Sequence, residues 1–413
     1  MAFNLFLLFT VSYFLHFTSR IPILAVIRFD LILYAILALL ALLGKQGLES
    51  AGKDRITKAL FLFFACAMVS VPFAMWPGSV LRFGLQNFLK SVLFFFYIVS
   101  FIKTEKQLKL FVFVLLFCQV FRGLEPLYLH ISTGYWGSSD YLGKGEFMDR
   151  LAGAPHDIVN PNQLAWVIVS TIPFLYYFGL RRSFNIKILL VGVSVLLLYS
   201  MILTGSRSGL VSLQVIIIAI SLQGEGRLKR VFYVAVIGIP LTFMVAGNLD
   251  YNTSQRYLSL IDSSAQGAKG VQGRINGIKN NLSTVYNIHG LLGHGLGTSV
   301  EVNSYYLGST QPSHNLYIET IQEVGLIGSL FFFRYIFSII QTLIHVKVHF
   351  NGENKLGSFI STLAMSIFVW VIMDLIYSIS CFGLTSWEWY LFGGLVAVCE
   401  RLILNENPLR VEG

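Results

Sequence analysis

The chain has 413 residues, of which 55% are hydrophobic and only 12% charged, with a mean hydropathy of +0.68. Soluble proteins carry roughly twice that share of charge, so an ordinary water-soluble domain is excluded and a bilayer protein is expected. The net charge of +9 is scattered over short segments between apolar runs and forms no basic stripe, which argues against nucleic acid as a partner.

A run of about 20 mostly apolar residues crosses the hydrocarbon core. Taken in chain order, such runs cover residues 2–17, 29–43, 59–75, 80–102, 108–129 and 163–180, then 186–203, 209–222, 231–246, 324–344, 359–380 and 387–404. The first run lacks a basic leader and a small-residue cleavage site, so it reads as a span and not as a removed signal. Cys66, Cys118, Cys381 and Cys399 lie in or beside these runs and read as small apolar packing residues. The expected fold is therefore an all-α integral membrane protein of about twelve helices in one membrane domain.

Twelve spans place both termini on one side. The segments on that side hold 17 of the 30 Lys and Arg residues, from Lys45 through Arg181 and Arg182 to Arg401 and Arg410. The positive-inside rule makes that side cytoplasmic. Two longer segments, 130–162 and 247–313, then fall on the outer side.

Cations outside that count carry the functional information, because ionisable residues in or beside spans are costly. They include Arg82, Lys90, Arg122, Arg150, Arg207, Arg274 and Lys279, with Arg334 and Asp374 inside apolar runs. Thr204-Gly205-Ser206-Arg207-Ser208-Gly209 joins two runs by a tight turn and opens a helix at Arg207. Free N–H groups and the positive dipole end suit an anion there, so the turn reads as a phosphate seat or as an arginine snorkelling to headgroups. Gly273-Arg274, with Lys279 following, lies in the large outer segment, either as part of a site or as solvated charge. Ser313-His314-Asn315 ends that segment at a helix start, where histidine serves either as a general base or as an interfacial cap. Asn160-Pro161-Asn162 reads as a capped helix start. Gly293-His294-Gly295 lacks the strand–loop–helix setting of a nucleotide cradle. No HExxH, P-loop or Asp-x-Asp pattern is present, so no metal and no cofactor are expected.

The ordered set Arg150-Leu-Ala-Gly153, Asn160-Pro161-Asn162, Thr204–Arg207, Gly273-Arg274, Gly293–Gly295 and His314-Asn315, followed by Gly325 and Gly328, resembles the O-antigen ligase and polymerase superfamily of bacterial inner membranes. The resemblance implies a membrane-embedded C-type glycosyltransferase, metal-independent and inverting. It would move a glycan from undecaprenyl diphosphate to an acceptor hydroxyl on the periplasmic face. The acceptor is the lipid A core in ligases and another lipid-linked repeat in polymerases. The spacing from His314 to Gly328 is similar to a ligase signature and favours the first. Arg207 and Arg274 are expected to hold the diphosphate and His314 to take the acceptor's proton or bind diphosphate. Arg150, Arg82, Lys90, Arg122, Lys279 and Asn315 are expected to support substrate binding. A lipid-linked glycan transporter is the reading from another class; it would show inverted repeats and broken helices near the midplane.

Overall fold

The computed structural model describes residues 1–44, 54–143, 146–157, 159–180, 182–223, 227, 251–260, 262, 268–285, 290–351, 359–381 and 383–406. Eleven of the twelve expected spans coincide with helices, and residues 231–246 lie outside the described residues. Among the described residues, six helices are long and apolar enough to cross a membrane: Arg55–Phe73, Pro77–Phe101, Glu105–Thr133, Phe184–Leu203, Leu316–Val346 and Phe359–Tyr377. Ala2–Phe14, Phe29–Leu43 and Arg207–Ser221 are apolar but shorter. The protein is thus a largely helical, multi-pass membrane protein.

Local chemistry explains where the helices begin and end. Asp54 Oδ1 accepts the Thr57 N–H at 2.7 Å and starts one helix. Thr104 caps Glu105–Thr133, which stops at Gly134 with φ +75°. The Asn160 side chain accepts the N–H groups of Asn162 and Gln163, each at 3.0 Å, while Gln163 reaches back to the Asn160 N–H at 3.1 Å. That is a complete capping box, as the Asn-Pro-Asn pattern suggests.

Central helices are buried on nearly all sides, as residues 388–399 are without interruption, while outer ones bury a single face. Trp387–Glu406 packs along Leu85–Phe101, Leu316–Asn351 along Arg55–Ser70, and Arg207–Ser221 along Phe359–Tyr377. The outward faces carry large apolar side chains such as Phe113, Phe117, Leu189 and Val191. In water such faces would be an aggregation hazard, whereas lipid tails solvate them. Cys118 and Cys399 are buried, and all four cysteines are free, in keeping with packing roles.

Two segments expected as loops carry regular structure among the described residues, and the strands of the first depart from the all-α expectation. Gly137–Gly143 and Glu146–Leu151 pair as an antiparallel hairpin. The stretch 247–313 carries three helices, Tyr251–Leu258, Ala268–Ser283 and Ser299–Leu307.

The Leu316–Asn351 helix is broken at Gly325, where φ is +69°. The break frees two carbonyls. Gln322 O accepts the His294 N–H at 2.7 Å, and Glu323 O accepts the Gly295 N–H at 3.0 Å. A Cβ on Gly325 would stand 2.2 Å from Leu291 O, and one on Gly84 would stand 1.9 Å from Leu296 O. The 291–297 segment therefore threads between two helices through glycine contacts, and irregular backbone is satisfied by protein, as a membrane interior requires. His294 is wholly buried and its Nδ1 lies 3.0 Å from Gln322 O. The Gly-His-Gly run is thus a packing element.

Candidate active site

The Thr204–Arg207 turn is built from its own residues and then clamped. Gly205 takes φ +57°, and Ser206 Oγ accepts the Gly209 N–H at 3.2 Å to start the helix Arg207–Ser221. Arg150, on the hairpin, donates from Nε to Thr204 O at 2.7 Å, from Nη1 to Asp140 at 2.8 Å and from Nη2 to Asn162 at 2.9 Å. Arg256 donates to Gly205 O at 2.8 Å and shares Asp140 at 3.1 Å. Burial, and then the neighbouring Arg256, bring the Arg150 pKa down to about 10. Arg150 thus holds the turn through all three of its guanidinium nitrogens. Arg256 is a partner that reading along the chain misses, because it lies 51 residues from the carbonyl it grips.

Arg207 faces a cavity of about 590 Å³, within the usual range for small-molecule sites. Its Nη1 donates to Ser259 Oγ at 2.9 Å. His314 borders the same cavity, exposed and with φ +50°, a conformation costly for a non-glycine residue. Gly273, Ile275, Gly277 and Ile278, on the helix Ala268–Ser283, form another part of the lining. Arg274 belongs to that helix, and its side chain lies outside the described residues. The cavity therefore gathers the Arg207 turn, the Arg274 segment and His314, which are distant in sequence.

The His314 turn is set by a buried amide. Gln322 Nε2 donates to Thr284 Oγ1 and to Asn303 Oδ1, each at 2.9 Å, and its Oε1 accepts from Ser313 Oγ. Asn303 Nδ2 donates to Gln311 O at 2.8 Å. Gln322 thus joins the helix before His314 to the one after it. Sequence gave no signal for it beyond a polar residue in an apolar run.

The other expected residues do not reach the cavity. Asn315 Oδ1 accepts the Ile318 N–H at 3.0 Å and its Nδ2 donates to Ile379 O at 2.9 Å, so it caps a helix and ties it to the 378–380 segment. Arg122 is buried and bidentate on Asp157 at 2.6 and 3.0 Å, with its third donor on Gln119. Burial alone would raise the Asp157 carboxyl, but the bonds from His16 and Arg122 outweigh it and hold its pKa below the usual value. Lys279 is exposed on the Ala268–Ser283 helix, and Arg82 and Lys90 are exposed on the Val80–Phe101 stretch; none of the three lines the cavity. Among the described residues, no group of three or more His, Cys, Asp or Glu is arranged to hold a metal ion.

The fold defines a multi-pass helical membrane protein, with a cavity bordered by Arg207 at a helix start. Residues 192–333, about a third of the chain, match the family model described as O-antigen ligase, and that stretch is similar to this family. The matched stretch contains Arg207, Arg274 and His314. No curated protein matches the chain.

Proposed function

We propose that the cavity transfers a glycan from undecaprenyl diphosphate to an acceptor hydroxyl, the lipid A core oligosaccharide, on the periplasmic face of the bacterial inner membrane. The observation that carries this reading is the convergence of Arg207, His314 and the Arg274-bearing helix on one cavity. Cationic loops support an orientation with both termini cytoplasmic.

The chemistry follows from charge. As the anomeric C–O bond breaks, its electron pair goes to the diphosphate oxygen and negative charge grows there. Arginine stays protonated and grips phosphate oxygens through paired donors. Arg207, beside the free N–H groups of its helix start, would hold the diphosphate with Arg274 and supply the charge neutralisation. His314 would take the acceptor's proton while the hydroxyl oxygen attacks opposite the diphosphate, which inverts the anomeric centre. No step is routed through a metal.

The test is transfer by purified protein in liposomes from a labelled undecaprenyl-diphosphate glycan. Lipid A core and a second lipid-linked repeat are offered in parallel. Arg207→Ala is expected to lower transfer by about 10²-fold or more. His314→Ala is expected to keep donor binding and lose transfer. Full activity in either variant sinks the assignment, and label on the lipid-linked repeat would make the protein a polymerase.

A further inference from the structure

Tyr377 borders the large cavity and also a second, smaller one of about 90 Å³. The smaller cavity is walled by two carboxyls, Asp374 and Glu388, by the amide of Gln163, and by the hydroxyls of Ser378 and Ser386. Asp374 is 4% exposed and Glu388 9%. Asp374 Oδ1 accepts the Trp166 indole N–H at 2.7 Å. Glu388 Oε2 is buried and, among the described residues, has no hydrogen-bond partner.

Two further acids lie buried close by. Glu319 accepts the Gly383 N–H at 2.9 Å, and Glu323 sits one turn further along the same helix. Among the described residues, none of the four forms an ion pair with Lys or Arg. Arg122, the guanidinium whose field reaches Glu388, is committed to Asp157. Each uncompensated buried charge costs several kcal/mol in principle. A proton or a cation relieves that cost, and a cation also gives the orphan oxygen a partner.

We propose that this small cavity binds one hard, oxygen-liganded cation of calcium's size and charge, held by Asp374 and Glu388 and completed by the neutral oxygens of Ser378 and Ser386. Two carboxylates balance a divalent ion. Calcium accepts amide and hydroxyl oxygens in irregular geometry, whereas magnesium keeps several waters in a near-ideal octahedron. The ion would fasten the end of the Phe359–Tyr377 helix to the start of Trp387–Glu406. The segment between them supports the larger site: Ser378 O accepts the Leu316 N–H at 2.9 Å, Ile379 O accepts from Asn315, and Ser380 lines the large cavity. The ion is a brace for that wall and takes no part in transfer, so the site stands or falls apart from the glycosyltransferase reading.

Trp166 and Trp389 line the small cavity, which makes terbium a direct probe. The purified full chain in nanodiscs is titrated with Tb³⁺ and excited at tryptophan. Sensitised terbium emission is expected, displaced by Ca²⁺ at about 10⁻⁴–10⁻³ M, the range of weak extracellular calcium sites, and not by equal Mg²⁺. Glu388→Gln and Asp374→Asn should each lose the calcium-displaceable emission, while Glu105→Gln, on the exposed start of another helix, should keep it. Wild-type melting temperature should rise with Ca²⁺ and not with Mg²⁺, a readout that survives if a variant fails to fold. Absence of sensitised emission from folded protein, displacement by Mg²⁺ as effective as by Ca²⁺, emission unchanged in both variants, or no calcium-dependent melting shift would each overturn the proposal.

Discussion

Arg207 and His314 border the same cavity but are held by different chemistry. The Arg207 turn is gripped through its carbonyls by two guanidinium groups, Arg150 and Arg256, which share Asp140. That clamp leaves a surplus of positive charge behind the turn, a field suited to an anion. The His314 turn is set by Gln322, a neutral hub with donors on Thr284 and Asn303 and an acceptor for Ser313. An amide fixes direction without adding charge. A phosphate seat gains from surrounding cations, whereas a base near neutrality loses from them.

The largest expected effect is on the charged clamp. Arg150→Ala leaves Asp140 to Arg256 alone and removes the guanidinium bonds to the Thr204 carbonyl and Asn162, and losing three such bonds from a buried guanidinium costs about 3 kcal/mol or more. Thermal unfolding of purified protein reads this. Arg150→Lys should recover only part of it, since one ammonium cannot replace three directed bonds. A loss no larger than for an exposed control such as Lys279→Ala would mean that the hairpin does not brace the turn.

The neutral hub should be softer in stability and sharper in function. Gln322→Ala leaves Thr284, Asn303 and Ser313 with unmatched bonds in the interior, at about 2 kcal/mol. Its expected signature is a fall in kcat with KM for the lipid-linked donor little changed, because the base moves and the diphosphate seat does not. Arg150→Ala should show the reverse bias, with KM raised. If both variants shift kcat and KM alike, the two regions are one structural unit and the contrast fails.

The smallest effect lies in acid. Asp157 has a folded-state pKa held below its usual value by His16 and Arg122, against the opposing push of burial. A depressed carboxyl contributes stability above its unfolded pKa and loses it as pH falls through the folded value. Acid unfolding monitored by circular dichroism should therefore start at higher pH, and rise less steeply, in Asp157→Asn than in wild type. Near neutral pH the pH dependence of the two should coincide. Identical acid limbs would show that the Arg122–Asp157 pair adds no linkage.

Hydropathy by itself determined the membrane class and most helix positions, since roughly 20 apolar residues have no other stable home in a bilayer protein. Local rules also placed the capping box at Asn160 and the helix start after Ser206, because both depend on neighbours within three residues. The order of Arg207, Arg274 and His314 was visible along the chain, and their association with one cavity was expected from family resemblance before the fold brought their segments together. Tertiary structure alone decided how each polar side chain is engaged. Arg150, Arg122 and Asn315 look like site residues in sequence, yet each is held by partners distant in the chain: Thr204, Asp157 and Ile379. Residue type announces that a group is able to bind an anion. Whether its donors already have partners depends on contacts between distant segments, and so does the meeting of Asp374 with Glu388 around one small cavity.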